Sequence, residues 1–358
     1  MAHQFYALRI KEIIRETQDC ISIEFDLPKE LQEKFQFKAG QNITIKQEIN
    51  GEELRRSYSI CSAPFENKLK IAIKKINGGL FSTFANDVLK SGDILNVMLP
   101  TGNFTTKHIE QQPQYLGIAA GSGITPIISI IKDTLSTQPN STFTLIYGNK
   151  NRSSIAFFEE LENLKNKYIE RFTLINILSR EKMDAEIFYG RIDTDKLSGL
   201  KKIIDYNRFS AAYLCGPEAM IFAGSDFLQN AGMEKNQIHF ELFGAPVLQT
   251  NTNLNTNIDT ENTGPKSDVS IKLDGRTFDF HLAYKGQNIL DAALQQGADL
   301  PFACKGGVCC TCRAKLMRGN VRMDVNYALE QEEVEQGFIL TCQAHPTTEK
   351  VFIDFDVK

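Results

Sequence analysis

Eight cysteines stand at positions 20, 61, 215, 304, 309, 310, 312 and 342, so five lie beyond position 300. The stretch PFACKGGVCCTC gives Cys304-x4-Cys309-x2-Cys312, and the later LTCQAHP adds Cys342. Thiolates are soft anionic ligands that suit iron or zinc. Zinc sites usually pair two short knuckles, whereas here three sulfurs share one loop and the fourth is distant. That spacing predicts four thiolates, Cys304, Cys309, Cys312 and Cys342, around a [2Fe–2S] cluster. Zinc and a redox CxxC are the competing chemistries. Gly306 and Gly307 allow the backbone to curl and aim amide N–H groups at cluster sulfurs. Cys310 adjoins Cys309, and one short loop seldom turns both side chains to one metal, so it stays outside the ligand set. Cys20 and Cys61 lie in strand-like contexts and read as small packed hydrophobes.

A one-electron cluster needs an electron source, and the upstream residues offer candidates. Arg56-Ser57-Tyr58-Ser59 closes a β-like run. A guanidinium fork suits a phosphate, an aromatic ring suits an isoalloxazine, and flavin N5 takes a hydrogen-bond partner. Gly78-Gly79-Leu80-Phe81-Ser82 precedes the helix-like FSTFANDVL, which would set amides and a hydroxyl against a pyrophosphate. Gly121-Ser122-Gly123-Ile124-Thr125-Pro126 follows the strand-like QYLGIAA. It departs from GxGxxG, because Pro126 stands at the third glycine's place. Its glycines still allow a tight turn and a close approach to a dinucleotide. Tyr147-Gly148-Asn149, Leu178-Ser179-Arg180-Glu181 and Cys215-Gly216-Pro217 come later. Singly, each has a structural reading: RxYS as a strand end with a surface arginine, the glycines as turns.

These side chains need scaffolds, and the pattern changes twice along the chain. Residues 1–106 hold short β-like runs, YALRIKEII, CISIEFDL, QNITIKQEI, YSICSAP, KLKIAIKKI and ILNVMLP, which predict a small antiparallel β-barrel or sandwich. Residues 107–246 alternate strands (QYLGIAA, FTLIYGN, RFTLINILS, SAAYLCGP) with helices (ITPIISIIKDTL, IAFFEELENLKNKY, EAMIFAGSDFLQNAG). That alternation implies βαβ units and a parallel sheet. Residues 247–267 are rich in Asn and Thr and lack aromatics, so they predict a flexible linker. In 268–358, VSIKLDGRTFDFHLA reads as a hairpin around Asp274-Gly275, NILDAALQQG as a helix ending at Gly297, and VFIDFDV as a last strand. Lys plus Arg is 40 and Asp plus Glu is 44, a formal charge of −4. Such a balance gives no footprint for nucleic acid or an anionic membrane. The most apolar run, Leu116 to Ile131, is broken by Gly117, Gly121, Gly123 and Pro126 and falls short of the roughly 20 residues that span a bilayer. The N-terminal MAHQFYALRIKEIIRETQD carries charges where a signal peptide needs an apolar core, so a cytoplasmic location is expected.

The motifs of residues 5–243, in this order, resemble the ferredoxin–NADP⁺ reductase family. The last 90 or so residues resemble a plant-type ferredoxin with a β-grasp fold (about 90 from the boundary at 268). The resemblance implies an FAD-binding six-stranded barrel followed by an NAD(P)-binding α/β domain. It implies that Arg56, Tyr58 and Ser59 meet the flavin, with Gly79 and Ser82 near its phosphates. It assigns Gly121, Gly123, Thr125, Cys215, Gly216 and Pro217 to the nicotinamide nucleotide. Phe243 in HFELFGAP matches the family's aromatic residue near the flavin ring, and Glu241 precedes it. Ser179 and Arg180 match the positions that hold the 2′-phosphate in NADPH-dependent members, so NADPH is expected, with NADH possible. Reductase first and ferredoxin last is the order of the reductase subunits of bacterial oxygenases. The double cysteine at 309–310 is a feature of one group of these. The implied activity is a relay from NAD(P)H through FAD and [2Fe–2S] to an oxygenase partner, with no side chain needed as acid, base or nucleophile. Two other readings stand beside it: a Rieske-type ring-hydroxylating dioxygenase as the acceptor, or a ferredoxin-like carrier without turnover. The acidic run Asp324, Glu330, Glu332, Glu333 and Glu335 reads first as a solvated face and second as a dock for the partner.

Overall fold

The computed structural model describes residues 4–106, 112–243 and 265–357. Residues Phe5–Phe243 form one compact unit, and the described residues from Pro265 onward belong to a second. The expected linker, 247–267, lies almost wholly outside the described residues, and a strand already begins at Lys266.

The first unit opens with β1 Phe5–Thr17, β2 Cys20–Asp26, β3 Asn42–Ile49, β4 Glu52–Ser59, β5 Leu69–Lys74 and β6 Ile94–Met98. These pair antiparallel in the order β4-β3-β6-β1-β2-β5. A bridge between Ile60 and Ile71 brings the two outer strands together, and the Cys61 N–H donates to the Lys70 carbonyl (2.8 Å). The sheet is therefore a barrel. Leu8, Ile10, Ile21, Ile23, Ile43, Ile45, Ile71, Ile73, Leu95 and Val97 are buried together, alternate residues of their strands, as a two-residue period requires. One element differs from the sequence pattern. The fourth strand is not YSICSAP but Glu52–Ser59, EELRRSYS. Asn50 and Gly51 both take left-handed φ (54° and 80°), the geometry of a two-residue hairpin that pairs β4 with β3. Its charges are accommodated locally, for example by Arg55 Nε on Glu53 Oε1 (2.8 Å).

The same unit continues with β7 Gln114–Ala120, β8 Thr142–Asn149, β9 Phe172–Leu178, β10 Ala211–Gly216 and β11 Ile238–Leu242. All pairs are parallel, in the order β11-β10-β7-β8-β9. Helices Ile124–Thr137, Phe158–Lys167, Thr194–Leu200 and Glu218–Asn230 connect them. The helix at 194–200 escapes the sequence pattern because it buries only Leu197 and Leu200; its Asp193 N-cap accepts from the Lys196 N–H (2.8 Å). Barrel and parallel sheet are tied by Ser129 Oγ, which donates to the Ser62 carbonyl (2.6 Å), and by buried Lys132, which pairs with Glu66 (2.9 Å) and Glu160 (2.8 Å). Burial lowers the lysine's pKa, but these two carboxylates outweigh it and raise it overall.

The second unit holds β12 Lys266–Leu273, β13 Arg276–Ala283, β14 Arg313–Arg318, β15 Val321–Met323, β16 Phe338–Leu340, β17 Ala344–Pro346 and β18 Lys350–Asp354. The main sheet runs β13-β12-β18-β14-β16, with only β12 and β18 parallel. Helix Ile289–Gln295 packs Ile289, Leu290 and Ala293 into the core beside Val269, Ile271 and Ile353. This is the mixed sheet and helix of a β-grasp. Asp274 and Gly275 (φ 49° and 74°) make the expected hairpin turn. No helix among the described residues is long and apolar enough to cross a membrane.

Candidate functional site

The junction of barrel and parallel sheet brings distant motif residues together. Ser59, at the end of β4, donates its hydroxyl to Glu241 Oε2 at the end of β11 (2.9 Å). Asn42 at the start of β3 also hydrogen-bonds this carboxyl. Burial pushes the Glu241 carboxyl up to about 7, against the pull of the Ser59 and Asn42 hydrogen bonds. Cys215 lies opposite Glu241 in the β10–β11 register and is fully buried. Burial, and then the Glu241 charge, hold its thiol well above the ordinary value. Tyr58 sits one residue before Ser59, its ring 5.6 Å from that of Phe81. Phe243 follows β11 and is exposed. Arg56 is exposed and donates Nη1 to the Arg55 carbonyl (2.8 Å).

The strands of the parallel sheet end on one edge, where open α/β sheets take nucleotides. Gly121 and Gly123 follow β7, Ser179 and Arg180 follow β9, and Gly216 and Pro217 follow β10. Gly123 cannot be replaced: a Cβ there would sit 2.0 Å from the Cys215 carbonyl oxygen. Gly121 takes φ +54°, and the Tyr147 hydroxyl donates to its carbonyl (3.0 Å). Thr125 Oγ1 closes the turn on the Ser122 carbonyl (3.0 Å). The Ser179 and Arg180 N–H groups donate to the Asn149 (2.9 Å) and Lys150 (2.8 Å) carbonyls, so the loops after β8 and β9 remain paired. Arg180 lies toward the sheet edge opposite β11, away from Cys215 and Glu241.

The glycine loop after β5 is built differently from the expectation in one respect. The Ser82 hydroxyl accepts from the Ile76 N–H (3.1 Å) and donates to the Gly79 carbonyl (3.3 Å), so it braces the loop. Gly78 is left-handed (φ 75°), and Gly79 precedes helix Leu80–Asp87. Asn86 anchors that helix, giving Nδ2 to the Ile73 (3.1 Å) and Ser82 (2.9 Å) carbonyls.

In the second unit, the four spaced cysteines converge. Cys309 Sγ donates to Cys304 Sγ (3.2 Å), and Cys342 hydrogen-bonds both Cys304 and Cys312. The Gly306 N–H donates to Cys304 Sγ (3.3 Å). Hydrogen bonds from the Cys309 and Cys342 thiols hold the Cys304 thiol far below its ordinary range. The same bonding and burial raise Cys309 and Cys342. No three His, Cys, Asp or Glu among the described residues are placed to close on one ion. A [2Fe–2S] cluster has two irons, so its four thiolates need not close on one ion, and this donor set fits it. Of the acidic run, Glu333 pairs with Arg313 (2.9 Å) and Asp324 with Arg322 (2.8 Å).

Three family profiles match in chain order: an oxidoreductase FAD-binding domain at 7–106, an oxidoreductase NAD-binding domain at 118–225 and a 2Fe-2S iron-sulfur cluster binding domain at 271–347. One component of the 1,2-phenylacetyl-CoA epoxidase of Escherichia coli is 43% identical over 356 residues, 99% of this chain and 98% of that one. The chain belongs to the ferredoxin–NADP⁺ reductase family. The reductase is thus an NAD(P)H-dependent oxidoreductase with FAD and [2Fe–2S] domains. It is also 32% identical to the ferredoxin reductase component of 3-ketosteroid-9-alpha-monooxygenase from Rhodococcus rhodochrous, over 97% of this chain and 96% of that one. Phthalate dioxygenase reductase shares the fold (TM-score 0.57, 24% identity, 98% of both chains). An intact type IV self-sufficient cytochrome P450 monooxygenase does so too (TM-score 0.70, 21% identity), over 98% of this chain and 41% of that one. Sequence reasoning missed Asn42 as part of the site, and it gave Tyr147 no role beyond the Tyr147-Gly148-Asn149 motif. Asn42 carries no sequence signal, because it meets its partner only through sheet register, and the bond from the Tyr147 hydroxyl to Gly121 appears only once the turn is formed.

Proposed function

We propose that the reductase carries electrons from NADPH through FAD and its [2Fe–2S] cluster to the oxygenase of a phenylacetyl-CoA epoxidase complex in aromatic catabolism. The observation that carries this reading is the 43% identity to the E. coli epoxidase component across nearly the full length of both chains. The chemistry supplied by bound flavin and cluster is the conversion of a two-electron hydride donor into single electrons.

The chain's residues bind, orient and hold protons. Arg56, Tyr58 and Ser59 are assigned to the flavin, with Gly79 at its phosphates and Ser82 bracing the loop. Gly121, Gly123, Thr125, Cys215, Gly216 and Pro217 form the nicotinamide side, where the close Gly123–Cys215 packing supports a tight backbone approach. Ser179 and Arg180 would select the 2′-phosphate, and Phe243 would lie by the flavin ring. Glu241 holds a proton near neutral pH and accepts from the Ser59 hydroxyl. Cys304, Cys309, Cys312 and Cys342 are the cluster ligands. We place the protein in the cytoplasm, a reading supported by its eight cysteines, none of which is in a disulfide.

An anaerobic titration followed optically tests this. NADPH should bleach flavin and then cluster bands with NADH less effective, and adding the epoxidase oxygenase and phenylacetyl-CoA should reoxidise both with epoxide formation. Failure of both nucleotides to bleach the holoprotein removes the reductase reading. Bleaching with transfer only to another oxygenase removes the partner; the 32% identity to a 3-ketosteroid monooxygenase component favours that second acceptor class.

A further inference from the structure

Cys310 has no place in the ligand set, yet its side chain is committed. Its Sγ donates to the Ala328 carbonyl (3.3 Å). Ala328 belongs to a segment, Asp324 to Leu329, that follows β15. That segment braces itself through Asn326: Oδ1 accepts from the N–H groups of Ala328 (3.3 Å) and Leu329 (2.9 Å), and Nδ2 donates to the Leu329 carbonyl (3.1 Å). It is fastened to the cysteine loop a second time where the Tyr327 N–H donates to the Gly307 carbonyl (3.0 Å). The fit there is close, since a Cβ on left-handed Gly307 would meet Val325 Cγ2 at 3.0 Å. On its other side the Asp324 N–H donates to the Gln343 carbonyl (3.0 Å), next to Cys342. Gln343 completes the circuit, giving Nε2 to the Lys305 carbonyl (3.0 Å).

One short segment therefore bonds to both pieces of chain that carry the four converging thiols. The three-cysteine loop and the Cys342 segment also meet directly through Thr341, whose N–H and Oγ1 donate to the Cys312 carbonyl (3.2 and 3.0 Å), so the strap adds to a contact already there.

We propose that Asp324–Leu329 is a strap that fixes the spacing between the cysteine loop and Cys342, and that Cys310 is a positioning residue whose thiol anchors the strap. The inference rests on the four-cysteine ligand reading. It gives the second cysteine of the Cys309-Cys310 pair a use: a donor that a serine can replace and an alanine cannot. Gly306, Gly307, Val308 and Cys309 are all buried, and the strap packs Val325 against Gly307.

The full-length holoprotein tests it with Cys310→Ala and Cys310→Ser. Cluster visible circular dichroism, the electron paramagnetic resonance of the reduced cluster, and the rate of bleaching by a chelator are read together with FAD content. Cys310→Ala should bleach several-fold faster, on the order of the effect of one lost hydrogen bond, and shift the cluster spectra with FAD content unchanged. Cys310→Ser should stay within about two-fold of the wild type, since its hydroxyl still donates. A lower unfolding temperature in Cys310→Ala with unchanged cluster spectra and bleaching overturns the positioning role, as does wild-type behaviour throughout. Loss of cluster absorbance in Cys310→Ser, with Cys304→Ser unaffected, overturns the ligand reading instead. Asn326→Ala, which loosens the strap without touching a cysteine, should reproduce the Cys310→Ala spectra; wild-type spectra there also overturn the strap.

Discussion

Ser59 and Glu241 are 182 positions apart and hydrogen-bonded. Burial raises the Glu241 carboxyl from its ordinary 4.5 to about 7. The folded chain therefore binds a proton that the unfolded chain has released between these values. Stability from this group is full below about 4.5 and is lost as pH rises through about 7. Glu241→Gln removes the titration while keeping an oxygen for Ser59. Thermal unfolding of the holoprotein at pH 5 and pH 8 should show the wild type losing more stability than the variant on going to the higher pH. Parallel losses would sink the assignment. The proposed cluster ligands are far more legible than this pair. Three of the four share nine positions, so spacing alone carries the chemistry, whereas Asn42 and Glu241 meet only after the barrel and the parallel sheet have formed.

The hydrophobic patterns gave most strands directly, because both the period-two barrel runs and the continuous runs such as QYLGIAA fill a core. The charged β4 is the exception. Its turn, Asn50-Gly51, is a stronger signal than its own residues, and its charges are balanced by neighbours rather than excluded. Helix Leu80–Asp87, which follows the glycine loop proposed for the flavin phosphates, is held from behind. Arg15 in β1 gives Nη1 to Asn86 Oδ1 (3.0 Å) and Nη2 to the Asn86 carbonyl (2.9 Å), while buried Asn86 reaches back to Ile73 and Ser82. Asn86→Ala removes these side-chain bonds, at a cost of about 1–3 kcal/mol for the groups left unpaired. If the Gly79 loop holds the flavin phosphates, FAD should dissociate roughly ten-fold faster, about 1.4 kcal/mol, seen as recovered flavin fluorescence on dilution. An unchanged release rate with a lowered unfolding temperature would confine Asn86 to the fold.

The chain reads as three stations in sequence, and its two compact units correspond to the flavin and nucleotide stations together and the cluster station alone. The barrel and parallel sheet are joined by Lys132 between Glu66 and Glu160, a contact no local pattern announces. Residues 247–267, by contrast, lie almost wholly outside the described residues, and their Asn- and Thr-rich composition is what led to the linker expectation. If they act as the linker we propose, a coil of that length would reach roughly 25 Å, and removing ten residues would cut this to about 18 Å. If the cluster unit must travel between flavin and oxygenase, the shortened chain should still let NADPH reduce the flavin at the wild-type rate, because that step lies within one compact unit. Electron delivery to the oxygenase should fall several-fold. Stopped-flow flavin bleaching and coupled substrate turnover separate the two steps. Equal loss in both would mean the deletion damaged the front unit, and no loss in either would mean that the linker's length is not what lets the cluster serve two partners.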